Sequence, residues 1–92
     1  MIKSFRQKGL QRFFETGNKS GIQAADAGKL RLSTAALDQA IKPEDLSAPA
    51  WALHPPKGDL KGRWALTVNG NWRVVFAFKG ADAVLVDYRE YH

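Results

Sequence analysis

Ninety-two residues with 45% hydrophobic side chains, ten aromatics and no cysteine make one domain with one modest core. That composition excludes a disordered chain, a disulfide-stapled scaffold and any thiolate chemistry. The net charge of +5 lies in the first third. Residues 1–31 carry seven basic side chains against two acids, and the rest balances at seven of each sign. Lys3, Arg6, Lys8, Arg12 and Lys19 are therefore expected to present a basic face to a polyanion such as nucleic acid. No apolar run approaches the roughly 20 residues that cross a bilayer, so no membrane partner is expected. The opening Met1-Ile-Lys-Ser-Phe-Arg6 lacks the apolar stretch of a secretory signal, which makes the cytoplasm the expected location.

In chain order, Ile2 to Phe5 reads as a short strand. Arg6 to Thr16 reads as an amphipathic helix with Leu10, Phe13 and Phe14 at helical spacing, stopped by Gly17. Ser20-Gly-Ile-Gln23 fits a capping box for a second helix, whose buried stripe would be Ala27, Leu30, Thr34, Leu37 and Ile41 and which Pro43 ends. Pro43 to Leu46 can form one further helical turn. Three prolines and two glycines then make 47–62 a long loop, pinned to the core by Trp51 and Leu53.

The last third alternates as three strands around Trp64–Val68, Trp72–Phe78 and Val84–Tyr88. A two-residue turn at Asn69-Gly70 would mismatch the apolar faces. A three-residue turn over 69–71 instead pairs Leu66 with Val74 and sets Arg73 opposite Thr67, away from the helices, with Asn71 taking the left-handed conformation. Val84, Val86 and Tyr88 would face the core. The whole is a two-layer α+β domain, an N-terminal strand and two helices on one face of an antiparallel sheet, whose other face is left for a ligand.

The polar residues that the core does not need near that face are His54 and Lys57 from the long loop, Arg73 from the central strand, and Tyr91 and His92 at the end of the chain. They are cationic or able to transfer protons. Such a set suits RNA cleavage by transesterification, in which the ribose 2′-hydroxyl is the nucleophile and the protein supplies proton transfer and charge stabilisation. No metal or other cofactor is required, and two histidines without a third ligand at a recognisable spacing do not make a zinc site. Strand alternation turns Tyr91 to the open face and His92 inward, so a catalytic His92 needs the chain to bend after Arg89. The same basic face and aromatics would also serve a non-catalytic RNA- or ribosome-binding module.

Leu53-His54-Pro-Pro-Lys57-Gly-Asp-Leu-Lys-Gly-Arg-Trp64, Val68-Asn-Gly-Asn-Trp72-Arg73-Val-Val-Phe76 and Val86-Asp-Tyr-Arg-Glu-Tyr91-His92, with the opening Met1-Ile-Lys-Ser-Phe5 and Phe13-Phe14-Glu-Thr-Gly17, resemble the HigB toxins of the RelE-like superfamily. The resemblance spans essentially the whole chain, residues 1–92, as one domain with a RelE-like, microbial-RNase-like fold. It implies a toxin of a type II toxin–antitoxin system that cleaves messenger RNA in the decoding site of a translating ribosome. A helix-turn-helix antitoxin of the HigA type would neutralise it, and DNA would be met only through that antitoxin. The family's active residues fall on His54, Lys57, Arg73, Tyr91 and His92. Glu90 stands where many members carry the shorter Asp, which makes it a candidate to orient a neighbour.

Overall fold

Helix α1, Lys8–Thr16, begins where the Gln7 side chain accepts the Leu10 N–H at 2.6 Å. It ends at Gly17, whose φ of 80° lets its N–H return to the Phe13 carbonyl. This is a computed structural model, and it describes residues 1–55 and 62–90. Leu10 and Phe13 are the buried face of α1. Gly9 lies backbone-to-backbone on Gly21: a Cβ built at Gly9 would sit 2.4 Å from the Gly21 carbonyl oxygen. An alanine gains about 1 kcal/mol of helix propensity over glycine. Forcing apart two packed backbones costs about 1–3 kcal/mol, so Gly9→Ala is expected to lower Tm by several degrees in a thermal melt.

Helix α2, Ala27–Gln39, follows a 3-10 turn at Ala24–Asp26. The capping box expected at Ser20–Gln23 does not form. The Ser20 N–H is taken by Asn18 Oδ1, Gln23 makes no side-chain cap bond, and α2 starts later, at Asp26. The buried stripe is Ala27, Leu30, Ser33, Thr34 and Leu37, as expected but for Ser33, which joins it, and Ile41, which is 61% exposed. Ala40 leaves the helix with extended dihedrals and takes the buried place itself, which turns Ile41 outward. Pro43–Leu46 is a 3-10 turn that buries Leu46.

Strands β1 (Arg63–Thr67), β2 (Trp72–Lys79) and β3 (Asp82–Glu90) form an antiparallel meander in the order β1-β2-β3. The register is the expected one, with Leu66 on Val74 and Thr67 on Arg73. Asn71 does not supply a left-handed residue; among the described residues those with positive φ other than glycine are Ala52 and Leu85. The turn closes through Asn69 instead, whose Oδ1 accepts the N–H groups of Asn71 and Trp72 at 2.7 and 3.1 Å.

The β2–β3 ladder shifts register between Val75 and Ala77, and Leu85, at φ 57°, is the extra residue of a bulge. Ala83, Val86 and Tyr88 therefore face the core. Val84, expected there, pairs with Ala77 on the other side. The same bulge interrupts the N-terminal strand. The chain runs parallel to β3 but pairs only at Ile2–Ala83 and Phe5–Val86, while Ser4 Oγ accepts the displaced Leu85 N–H. Trp51, in a 3-10 turn at Pro49–Trp51, and Leu53 pack against the core, as expected. The core is one cluster between the helices and the sheet, with Leu10, Leu30, Leu37, Leu66, Val74 and Phe76 at its centre.

Candidate active site

After Leu53 the chain forms an antiparallel bridge to β1: His54 N–H meets the Ala65 carbonyl and Ala65 N–H the His54 carbonyl, at 3.1 and 2.7 Å. Residues paired across antiparallel strands share a face. One rung therefore runs His54, Ala65, Val75, Asp87, and the next runs Thr67, Arg73, Arg89. Leu66, Val74 and Tyr88 fill the opposite face with core. His54 and Arg73 thus lie on the same sheet face, the one opposite the helices. Two strand spacings and two residues of rise put their Cα atoms about 12 Å apart, a gap that one phosphodiester and two side chains can span.

Between them Ala65 and Val75 are buried, only 1% and 4% exposed. Such burial lowers the local dielectric and strengthens charge interactions made beside it. Asp87 and Arg89, an ion pair at 3.9 Å, complete the face toward β3. Sequence reasoning missed both, although the alternation that turned Arg73 outward does the same for them.

His54 is half-buried and held by its own segment. Its Nδ1 lies 2.5 Å from the Ala52 carbonyl oxygen, which can only accept, so the neutral ring carries its proton on Nδ1 and presents a lone pair at Nε2. The carbonyl is brought round by the left-handed backbone of Ala52, φ 46°, an uncommon conformation for alanine. Arg73 is also half-buried. Its Nη1 donates to the carbonyls of Asn69 and Trp72 at 2.5 and 3.1 Å, which folds the guanidinium against the end of the hairpin.

Behind that hairpin lies Asp26, 4% exposed. It occupies the N-cap of α2 but makes no cap bond. Its Oδ1 accepts from Asn69 Nδ2 at 2.6 Å, and its Oδ2 accepts from the Tyr88 hydroxyl. Burial first, and then the bond to Asp26 and its charge, hold the Tyr88 phenol well above its ordinary pKa, so it stays a donor. The Tyr88 ring stacks on Trp72 at 4.3 Å.

Glu90 pairs with Trp72, which assigns it to the helix side of the sheet and not to the face of Arg73. Lys57, Tyr91 and His92 lie outside the described residues. Lys3, Arg6, Lys8, Arg12 and Lys19 are all exposed. Lys3 and Arg6 follow the β3 edge and Lys8 and Arg12 the outside of α1, whereas His54 flanks β1 at the other edge. The basic residues are thus not gathered around His54 and Arg73.

A family model described as RelE-like toxin of type II toxin-antitoxin system HigB matches residues 3–92. The chain is 42% identical to a protein named Endoribonuclease HigB from Proteus vulgaris, over all 92 residues and the full length of both. Among solved structures, a copper-bound mutant toxin from Helicobacter pylori superposes with a TM-score of 0.54, at 16% identity over 98% of this chain and 94% of that one, a likeness of fold. The chain belongs to the HigB family of RelE-like toxins, the toxin components of type II toxin–antitoxin systems.

Proposed function

We propose that this toxin is a metal-independent endoribonuclease that cuts messenger RNA in the decoding site of translating ribosomes, and so halts translation and growth. What most supports the reading is the placement of His54 and Arg73 on one sheet face, opposite the helices, with His54 Nδ1 bonded to the Ala52 carbonyl and Nε2 turned away from that bond.

In the proposed reaction His54 Nε2 accepts the proton of the ribose 2′-hydroxyl. The 2′-oxygen attacks the adjacent phosphorus, the bond from phosphorus to the 5′-oxygen breaks, and that oxygen takes a proton from His92. The products are a 2′,3′-cyclic phosphate and a 5′-hydroxyl end, and no water or metal enters. Arg73 and Lys57 offset the charge that builds on the phosphorane oxygens. Tyr91 stacks on a base or bonds the phosphate, and Glu90, on the other face, orients the segment that follows it. The expected partners are a helix-turn-helix antitoxin of the HigA type and the ribosome with its messenger, all in the cytoplasm, with DNA reached only through the antitoxin.

In a reconstituted translation system the protein should cut messenger RNA that ribosomes are reading and leave the same RNA intact without them. Binding without cleavage would favour a non-catalytic ribosome-binding module. The basic residues are assigned to ribosomal RNA. Replacing Lys8, Arg12 and Lys19 with Gln is expected to weaken ribosome binding and to flatten its dependence on log salt by about two to three units, with the single-turnover rate of bound toxin unchanged. An unaltered salt slope in a ribosome-pelleting titration would count against that assignment.

A further inference from the structure

We propose that Asp26 is a positioning residue for Arg73: it grips the Asn69 side chain from beneath the sheet, and Asn69 fixes the hairpin whose carbonyl holds the guanidinium.

A capping carboxylate ordinarily bonds the first amides of its own helix. Asp26 leaves them and reaches to the far end of the β1–β2 hairpin, 43 residues on, and to Tyr88, 62 residues on. Both oxygens are thereby used, as a buried carboxylate requires. Asn69 is the hub. Its Nδ2 donates to Asp26, its Oδ1 accepts the Asn71 and Trp72 amides, and its main-chain carbonyl accepts Arg73 Nη1. The second carbonyl on Nη1 belongs to Trp72, whose ring is clamped on Tyr88, the other partner of Asp26. Both of these carbonyls thus connect to Asp26 in one or two steps. The guanidinium is aimed from a rigid base, although the hairpin itself lies at the surface with Gly70 and Asn71 exposed.

The inference rests on the proposed role of Arg73 in charge stabilisation, and the test separates the two. Asn69→Asp keeps the oxygen that closes the turn but sets two carboxylates against each other. It is expected to lower the maximal rate of cleavage on ribosome-bound messenger RNA roughly 10- to 100-fold, the order of loss that a misplaced group brings. Adding Asp26→Asn exchanges donor and acceptor across the same bond and should restore the rate to within a few-fold. In an Arg73→Lys background neither change should matter beyond about twofold, because contacts that act through one group are not additive. A structural role would instead lower the rate by the same factor in both backgrounds, and that result overturns the proposal. So does a swap that recovers Tm but not the rate. Should Asn69→Asp not fold, Asn69→Ser severs the link without added charge and is read against the same outcomes in both backgrounds. If Arg73→Ala cleaves normally, it is the assignment of Arg73 that fails; if it is inactive and the background makes no difference, only the present inference fails.

Discussion

Arg73→Ala is expected to slow messenger RNA cleavage by on the order of 10²- to 10³-fold, the usual loss when one well-placed transition-state donor is removed. Cells expressing the variant should grow almost normally. The fold should survive, because Arg73 faces away from the core cluster and its Nη1 bonds go to carbonyls at the solvent end of a hairpin. A melt close to that of the parent protein would separate loss of chemistry from loss of structure. The size of the effect follows from placement. Arg73 stands on the rung next to the buried Ala65–Val75 pair, with its Nη1 anchored, so little ordering is left to do when charge develops on a phosphate. Arg73→Lys should recover only a part, since an ammonium supplies charge without the planar fork. A well-expressed Arg73→Ala protein that remains fully toxic would refute the role.

His54 should be nearly as sensitive, and two substitutions separate its functions. His54→Asn keeps an N–H where Nδ1 meets the Ala52 carbonyl but has no counterpart of Nε2, whereas His54→Gln places an amide near Nε2 that cannot accept a proton at neutral pH. If His54 is the base, each should cost about 10²- to 10⁴-fold in the rate of the chemical step. Substrate binding should change much less. If His54 only donates or accepts a hydrogen bond to RNA, His54→Gln will retain most of the rate in single-turnover cleavage, and the proton-transfer assignment falls.

The architecture was legible where local chemistry and alternation agree. Gly17 ends α1, the 69–71 turn fixes the register, and that register alone sends Arg73 to the face away from the helices. Tyr88 is core as expected, but Val84 is not, because a bulge at Leu85 reverses the alternation, and no glycine marks it. Ser20 and Gln23 carry the local pattern of a cap, yet the chain bends through a 3-10 turn before α2 begins. Ile41 fits the helical stripe on paper, but the helix ends two residues before it.

The candidate site divides in the same way. His54 and Arg73 were legible as residue types, and pairing joined them. Asp26 was invisible as part of the site because its partners lie 43 and 62 residues away, and helix-start carboxylates are commonplace. Asn69 looked like a turn residue and nothing more. Its second role arises only when the hairpin folds over the start of α2, a contact that no local pattern encodes.

The central claim, that this toxin cuts messenger RNA by attack of the ribose 2′-hydroxyl while the message is being translated, is tested most directly by mapping RNA ends shortly after induction. New messenger ends should carry a 5′-hydroxyl, fall within translated codons, and vanish both in the Arg73→Ala variant and when initiation is blocked. Ends bearing a 5′-phosphate, ends that persist on untranslated messages, or growth arrest with no new ends would contradict it.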